Sequence, residues 1–209
     1  MNRKEIEQRR SRILAKESFI NSFPEAYKRP GRPFRNQEPF FEQAVKALAE
    51  HHFRKRYRKP AATIPLSIVF EGPTGCGKTH LAALLALFGA DRASMIPTFL
   101  SCQTMASDLS FVADTNRRRR EPADIMEQVE GADLVVLDDL GTQDGLAKHV
   151  TKEVIDLCSR EQKLLVGTTN NTDDDLIPLI GERGLSRLKQ GTWIRLPLAI
   201  PDFREGVST

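Results

Sequence analysis

A glycine-rich loop between a predicted strand and a predicted helix constrains the fold of this chain more than any other segment. Residues Gly72–Thr79 read GPTGCGKT and match the pattern G-x-x-x-x-G-K-[ST] at every fixed position. The apolar run Leu66–Phe70 before it predicts a short buried strand, and Lys78–Phe88 after it predicts a helix. Glycines let the backbone curl so that its N–H groups point at an anion, and the helix N-terminus adds a positive dipole. The loop therefore predicts a binding site for the phosphates of ATP together with Mg²⁺.

Two side chains of this loop have the chemistry that a magnesium nucleotide requires. We expect Lys78 to reach the outer phosphates and the Thr79 hydroxyl to ligate Mg²⁺. A plain glycine-rich turn is the alternative, and the strand before the loop and the helix after it argue against that alternative. The residues predicted to bind the nucleotide are Gly72, Pro73, Thr74, Gly75, Cys76, Gly77, Lys78, Thr79 and His80.

Two acids, Asp138 and Asp139, follow the predicted strand Leu134–Leu137. A strand that ends in acids places carboxylates at the carboxyl edge of a sheet, where ligands of open α/β folds bind. We expect Asp138 to hold Mg²⁺, directly or through water, and Asp139 to orient or activate the attacking water. An ordinary strand end is the alternative, and the phosphate loop earlier in the chain favours the catalytic interpretation.

A polar amide and an arginine complete the candidate site. Asn170 comes just after the predicted strand Leu164–Thr168, where its side chain would hold the attacking water against the γ-phosphate. The alternative is that this asparagine caps a helix that begins near Thr172. Arg187 stands after a helix, and an arginine in that place can neutralise transition-state charge in a neighbouring subunit's site. Taken alone, an arginine such as Arg187 is more often a surface salt-bridge residue.

Strands and helices alternate along the rest of the chain. Strands separated by helices need crossover connections, so they form a parallel sheet that is covered on both faces. We therefore predict an α/β fold with a five-stranded parallel sheet flanked by helices. The remaining predicted elements are the strands Ile96–Cys102 and Trp193–Leu196, the helix Met105–Val112, and a helix marked by Val150, Val154, Leu157 and Cys158.

The first 60 residues carry most of the positive charge. They hold 16 Lys and Arg against 7 Asp and Glu, while the whole chain has a net charge of only +3. Phe41, Val45, Leu48 and His52 follow helical spacing, and that helix ends in the basic run Arg54–Lys59. A basic N-terminal region joined to an acidic remainder of the chain suggests that the N-terminal region binds an anionic or acidic partner. The alternative is a solvated basic helix.

The cysteines, the N-terminus and the apolar runs indicate the cellular compartment of the protein. Cys76, Cys102 and Cys158 form no CxxC pair and suggest no disulfide framework, so we expect buried thiols in a reducing cytoplasm. The N-terminus is charged, unlike a secretory signal. The longest apolar stretch, Leu81–Ala90, is far shorter than the roughly 20 residues that a bilayer requires. We therefore expect a cytoplasmic protein that does not enter the membrane.

Four segments of the chain occur together in one group of ATPases. They are the phosphate loop followed by HLA, LVVLDDLG at 134–141, TTN at 168–170 and GERGLSRL at 181–188. Together they resemble the DnaC-type replicative helicase loaders and the related IstB-type transposition ATPases, which are AAA+ ATPases. The resemblance covers residues 64–204, and GKTHLA combined with GERGLSRL is more specific than the phosphate loop alone. It implies a P-loop NTPase fold of the AAA+ ASCE type over residues 61–209, after a helical partner-binding extension over residues 1–60.

The resemblance also implies a role for each candidate at the sheet edge. Lys78 and Thr79 correspond to the Walker A pair, and Asp138 and Asp139 to the Walker B acids. Asn170 corresponds to sensor 1. Asp139 stands where many AAA+ proteins have glutamate, which is one methylene longer. We therefore expect slow turnover, with ATP acting more as a switch than as fuel.

Three arginines take the remaining implied roles. Arg187 corresponds to the arginine finger, and Arg183 is a second candidate for a charge supplied to a neighbouring subunit. Arg204 corresponds to a residue with a sensor-2-like role. Few residues follow the fifth predicted strand, so we expect no separate C-terminal lid domain.

The function implied by the resemblance is that of an ATP-dependent loader of a replicative DNA helicase. Subunits would form a homo-oligomer with each ATP between one phosphate loop and the next Arg187, while the N-terminal segment binds the helicase. The core would contact single-stranded DNA through the basic runs Arg54–Lys59, with Phe53 and Tyr57, and Arg117–Arg120. A solvated patch is the alternative for each run. Alternatives for the protein are a transposase-regulating ATPase, a small-molecule P-loop kinase, and an adaptor that binds nucleotide with negligible turnover.

Overall fold

Five parallel strands form the central sheet in the computed structural model, which describes residues 33, 36–57, 66–109 and 120–197. The strands are β1 (Ser67–Glu71), β2 (Pro97–Ser101), β3 (Leu134–Leu140), β4 (Leu164–Thr169) and β5 (Thr192–Arg195). The helices in these ranges are α1 (Glu38–Arg56), α2 (Lys78–Arg92), α3 (Cys102–Leu109), α4 (Pro122–Glu130), α5 (Gly145–Arg160) and α6 (Asp173–Leu188). All strand pairings are parallel, which confirms the predicted α/β fold with a five-stranded sheet.

The strand order, β2-β3-β4-β1-β5, determines which loops meet. Strand β4 lies between β1, which leads into the phosphate loop, and β3, which carries the two acids. Because the carboxyl ends of parallel strands share one edge of the sheet, the loops after these three strands converge there. The additional strand between the two functional strands confirms the predicted ASCE arrangement.

Apolar side chains cover both faces of the sheet, as burial of a parallel sheet requires. The strand residues Ile68, Phe70, Val136 and Val166 pack on the side of α1 and α2. On the opposite face, Val69, Val135, Leu137 and Leu165 pack in the cluster that includes α3, α4, α5 and α6. The continuous apolar runs of β1, β3 and β4 therefore place these strands in the centre of the sheet.

Helix α1 packs on the core through small residues. Its buried positions include Ala44 and Ala47, whose small side chains let the helix approach the core closely, and Leu48. Of the residues that follow helical spacing in the sequence, Leu48 is buried and Phe41, Val45 and His52 are half-buried. His51, which that spacing does not include, is fully buried.

Residues 1–32 and 58–65 lie outside the described residues. The predicted division of the chain near residue 60 therefore stays a prediction, although α1 packs on the sheet and not apart from it. The predicted lack of a C-terminal lid concerns residues beyond 197 and also stays a prediction.

Helix α4 is not predicted by the sequence pattern. It is short and begins at Pro122, where Glu121 and Asp124 form a reciprocal capping box. Its fully buried residues are Ile125 and Val129, and Met126 packs partly buried against the same cluster. Two buried residues in nine give too few repeats for periodicity to show, whereas the acidic cap followed by proline is a recognisable helix start.

Two expectations for the whole chain can be compared with the described residues. Cys76, Cys102 and Cys158 are all free and buried, which confirms the prediction of buried thiols. Within the described ranges, no helix combines the length and the apolar character needed to cross a membrane.

Candidate functional site

The phosphate loop joins the end of β1 to the start of α2. Gly75 and Gly77 have φ values of 81° and 85°, in the left-handed region that glycine adopts without strain. Gly77 is the N-cap of α2, so the helix axis and its positive end point at the loop. The sequence therefore places glycine at the two positions where the loop backbone turns toward a bound anion.

The Lys78 side chain lies across the loop. Its Nζ donates hydrogen bonds to the carbonyl oxygens of Gly72, at 2.9 Å, and Pro73, at 2.7 Å. Only 5% of the residue is exposed, and burial lowers the pKa of its ammonium group, while Cys76, Asp139 and Asp138 oppose this effect. The cation is thus held beside the concave backbone that would receive the phosphates.

Asp138 is the central acceptor of the site. Its Oδ1 atom accepts hydrogen bonds from the hydroxyl of Thr79, at 2.8 Å, and from that of Thr168, at 2.7 Å. Burial, followed by the charge of Asp139, raises the pKa of Asp138 to about 6, and the two hydroxyl donors oppose this rise. A buried carboxylate next to a second acid is therefore stabilised by two hydroxyl donors and by the charge of Lys78.

The donors around Asp138 fit a magnesium ion. A carboxylate and a threonine hydroxyl are the hard oxygen ligands that Mg²⁺ prefers, and Mg²⁺ usually takes one or two carboxylates together with phosphate oxygens. In the described ranges there is no cluster of three or more His, Cys, Asp or Glu that could hold a metal. Thr79 and Asp138 are therefore the residues that would hold the ion, together with phosphate oxygens and water.

Asp139 occupies a different environment from Asp138 although the two are adjacent. Its φ of 55° lies in the left-handed region, which aspartate tolerates better than most residues. The pairing of β3 with β4 is irregular between Leu137 and Leu140, and the Asp139 N–H donates to Thr168 Oγ1 at 2.9 Å. This turn leaves Asp139 half-buried while Asp138 faces inward.

Asn170 extends from the end of β4 to the phosphate loop. Its Nδ2 atom donates to Thr74 Oγ1 at 3.3 Å, and the residue is exposed. The alternative interpretation as a helix cap is wrong, because Thr172 is the N-cap of α6 and forms a capping box with Asp175. The amide therefore contacts the phosphate loop and does not cap α6.

The two candidate finger arginines lie in α6. Arg187 is in the last turn of this helix, not after it, and its side chain forms an ion pair with Asp156 of α5. That pairing is the salt bridge that the alternative interpretation describes. Arg183 is exposed one turn earlier, beyond Gly181, where the backbone leaves the helical conformation with a φ of 77°. Arg204 lies outside the described residues.

Two residues that sequence reasoning missed contact the site. Thr168 joins Asp138 to the backbone of Asp139, and its place at the end of the strand next to the acids could have indicated this. Gln37, fully buried before α1, donates from Nε2 to the carbonyl oxygen of Cys76 at 2.7 Å. A Cβ at Gly77 would lie 2.1 Å from that Nε2 atom. No local pattern predicts the contact of Gln37, since the pairing is across 39 residues.

The sequence matches a protein family over most of its length. The model of the IstB-like ATP binding protein family matches residues 3–186. This chain belongs to the IstB-like ATP-binding protein family. A search of curated proteins gave no match.

Solved structures share the fold of this IstB-like protein. The DnaC helicase loader has a TM-score of 0.58 at 15% identity, with 88% of this chain and 99% of that chain covered. DnaI has a TM-score of 0.60 at 16% identity, with 80% and 88% covered. AMPPCP-bound DnaA from Aquifex aeolicus has a TM-score of 0.58 at 13% identity, with 84% and 51% covered, so the chain spans about half of its length.

The family match and the shared fold identify an AAA+ ATPase of the IstB and DnaC type, with a P-loop nucleotide site. This confirms the resemblance inferred from the four sequence segments. The described part of the site brings together the phosphate loop, the two acids of β3 and Asn170. Arg187 is paired instead with Asp156 of α5.

Proposed function

We propose that this IstB-like protein loads a replicative DNA helicase onto single-stranded DNA, with ATP binding and hydrolysis as the switch between assembly and release. The observation that carries the proposal is the match to the DnaC helicase loader over 99% of that chain. A fold shared over the whole length of a loader is compatible with the same task. The identity of 15% limits that likeness to the fold, so the partner is our proposal.

The site supports a specific course for ATP hydrolysis. Lys78 and the loop N–H groups hold the phosphates, while Asp139 and Asn170 orient a water molecule toward the γ-phosphate. The water oxygen forms a bond to the γ-phosphorus, the bond to the β,γ-bridging oxygen breaks, and the water proton passes to Asp139. ADP and phosphate are the products. Thr79 and Asp138 would hold Mg²⁺, which neutralises charge on the phosphates when it is bound.

We further propose that the active form is a homo-oligomer in which an arginine from one subunit completes the ATP site of the next. Arg187 takes this role only after it leaves Asp156, while exposed Arg183 forms no ion pair with another described residue. ATP hydrolysis by Arg183→Ala and Arg187→Ala distinguishes the two candidates. In Asp156→Asn, a finger role for Arg187 predicts faster hydrolysis, because the arginine loses its partner within the subunit. Arg204 keeps its sensor-2-like role as a prediction.

The DNA and helicase contacts are assigned to separate parts of the chain. Residues 1–60 are proposed to bind the helicase, because this region holds the excess of basic residues. The basic run Arg117–Arg120 is proposed to contact DNA phosphates. Of these four residues the structure describes only Arg120, whose guanidinium contacts the Gln128 side chain in α4.

The experiment that tests the proposal uses the full chain as bait. The immobilised protein is mixed separately with the replicative helicase and with the transposase of the same source, in ADP or in AMPPCP. We expect the helicase to be retained, and more of it in AMPPCP than in ADP. Lys78→Ala serves as the control and is expected to lose the difference between the nucleotides. Retention of the transposase without the helicase would contradict the loader assignment.

A second function is favoured by the family match itself. Residues 3–186 match the IstB-like model, and the sequence resembles transposition ATPases of that type, so regulation of a transposase uses the same ATP site with another partner. The same retention experiment decides between them. Phosphate release with and without single-stranded DNA separates both from a kinase, which needs a second substrate, and from an adaptor, which has negligible turnover.

A further inference from the structure

Gln37, the N-cap residue of α1, is also a neighbour of the phosphate loop. Its carbonyl oxygen accepts hydrogen bonds from the N–H groups of Phe40 and Phe41, at 3.1 and 3.0 Å, which begin the helix. Its side chain makes no capping hydrogen bond, although an N-cap side chain commonly accepts one from the first turn. Instead, Nε2 donates to the carbonyl oxygen of Cys76 in the loop, at 2.7 Å. The backbone of this residue therefore starts α1 while its side chain contacts the ATP site.

The Gln37 side chain lies in an environment that disfavours a polar group unless the group has a specific partner. The residue is fully buried, and its Oε1 atom has no hydrogen-bond partner among the described residues. A buried amide oxygen without a partner costs free energy, and an aliphatic side chain of similar size would avoid that cost. Packing alone therefore does not account for an amide at this position, whereas the hydrogen bond to Cys76 does.

The hydrogen bond to Cys76 fixes the orientation of a peptide group in the loop. The carbonyl of Cys76 and the N–H of Gly77 belong to the same peptide, and no described peptide bond is cis. In a planar trans peptide the C=O and N–H groups point in opposite directions, so a contact that holds the carbonyl also holds the direction of the N–H. The Gly77 N–H is among the loop groups that we expect to face a phosphate. Gln37 is therefore placed to set the direction of a phosphate-binding group that it does not itself supply.

The contact also depends on the glycine at position 77 and on the packing of α1. A Cβ at Gly77 would meet Nε2 of Gln37 more closely than any other atom. Helix α1, which starts at Gln37, is held on the core by Ala44, Ala47 and Leu48. A movement of the first turn of α1 would therefore reach the loop at Gly77, and a change in the loop on ATP binding would reach α1 in the same way.

We propose that Gln37 is a positioning residue for ATP binding, which holds the Cys76–Gly77 peptide in the orientation that receives phosphate and so couples the start of α1 to nucleotide affinity. The inference rests on the nucleotide binding in the proposed function and not on the identity of the partner. It extends that function, because it gives the N-terminal region a direct contact with the ATP site. Since the contact is to the loop backbone, we expect it to act on ATP binding and not on hydrolysis once ATP is bound.

The test compares the full chain with Gln37→Met, whose side chain is of similar length but has no donor for the Cys76 carbonyl. Without that donor the loop samples other orientations, and the Kd rises in inverse proportion to the fraction of molecules that remain competent. Because one buried hydrogen bond is worth about tenfold in an equilibrium, we expect the ATP affinity in isothermal titration to fall by about 10-fold. The kcat at saturating Mg·ATP should stay close to that of the wild type, because bound ATP orders the loop.

Three further variants separate positioning of the loop from packing of α1. Leu48→Val is the matched control, since it removes one methylene group from the packing of α1 beside Gly89, far from the loop, and should bind ATP as the wild type does. Gln37→Asn keeps the amide but is one methylene too short to reach Cys76, so it should lose affinity as Gln37→Met does. In a Gln37→Ala background, Gly77→Ala should cost about 3-fold less affinity, or less still, than in the wild type, because the Cβ no longer meets the amide.

The remaining outcomes distinguish this inference from the proposed function. Unchanged ATP affinity in Gln37→Met and Gln37→Asn would overturn the inference and leave the proposed ATP switch standing. An equal loss in Leu48→Val would assign the effect to the packing of α1, and a loss of kcat as large as the loss of affinity would exclude a role in positioning alone. An additive result for the two substitutions at Gln37 and Gly77 would show that they act separately, which also contradicts the inference. A wild type that binds no ATP would overturn both the inference and the proposed function.

Discussion

Asp138→Asn is expected to stabilise the nucleotide-free protein at neutral pH while removing its magnesium ligand. Asp138 is 5% exposed and its pKa is about 6, against an ordinary value of 3.8. A carboxyl whose folded pKa is raised favours folding below the unfolded pKa, and this contribution is lost as the pH rises through the folded pKa. Asparagine keeps an oxygen that accepts from Thr79 and Thr168 but carries no charge. At neutral pH the variant therefore avoids the free-energy cost of holding an ionised carboxylate at this buried position.

The size of the effect follows from the two pKa values. The full cost of ionising Asp138 in the folded protein is about 3 kcal/mol, reached above the folded pKa of about 6. At about pH 5 the wild type already bears roughly half of this cost, so the advantage of the variant should grow by about 1.4 kcal/mol between about pH 5 and about pH 7.5. Titrating groups that do not interact with Asp138 are common to both proteins and cancel in this comparison.

Urea denaturation without nucleotide or magnesium measures the advantage at the two pH values. Glu153→Gln is the control, since Glu153 is exposed in the middle of α5 and its removal should change stability equally at both. Added Mg·ATP should stabilise the wild type and not Asp138→Asn. An advantage that is equal at the two pH values, or smaller at the higher one, would refute the reasoning.

Two further substitutions test contacts around the loop and the acids. Thr168→Val removes the donor to Asp138 and the acceptor of the Asp139 N–H, so we expect a loss of about 2–3 kcal/mol in urea denaturation that Thr168→Ser largely restores; equal losses in both variants would contradict this. Gly77→Ala places a Cβ against Gln37 at a φ of 85°, so it should lower both stability and ATP affinity in isothermal titration. Unchanged ATP affinity in Gly77→Ala would contradict this prediction, because it would show that the loop binds ATP without a glycine at this backbone conformation.

The sequence predicted the parts of the fold whose signal is local. The run from Leu66 to Phe70, the glycines and the helix after Lys78 each have a pattern that chain neighbours determine, and β1, the loop and α2 are where that pattern places them. Beyond the ASCE type that the resemblance implies, the order of the strands was not predicted, because it depends on pairing between segments that are distant in the chain. Helix α4 was missed because its apolar side has only two buried residues, Ile125 and Val129.

The parts that sequence reasoning did not reach depend on pairs that are distant in the chain. Arg187 and Asp156 lie on different helices, and only the packing of α5 on α6 brings them together. Gln37 contacts the phosphate loop because α1 packs on the sheet, and a residue before a helix carries no signal for such a contact. The burial of His51 is likewise outside the helical spacing that the sequence shows.

ATP hydrolysis by Asp139→Asn tests the central claim most directly, namely that the acids of β3 and the phosphate loop form one hydrolytic site. Phosphate release is measured at saturating Mg·ATP, and nucleotide affinity is measured separately for the variant and the wild type. Because Asp139 is expected to accept the water proton while Lys78, Thr79 and Asp138 hold the nucleotide, the account predicts ATP affinity within a few-fold of wild type and a rate lower by about 100-fold or more. A variant that hydrolyses ATP at the wild-type rate would contradict the account.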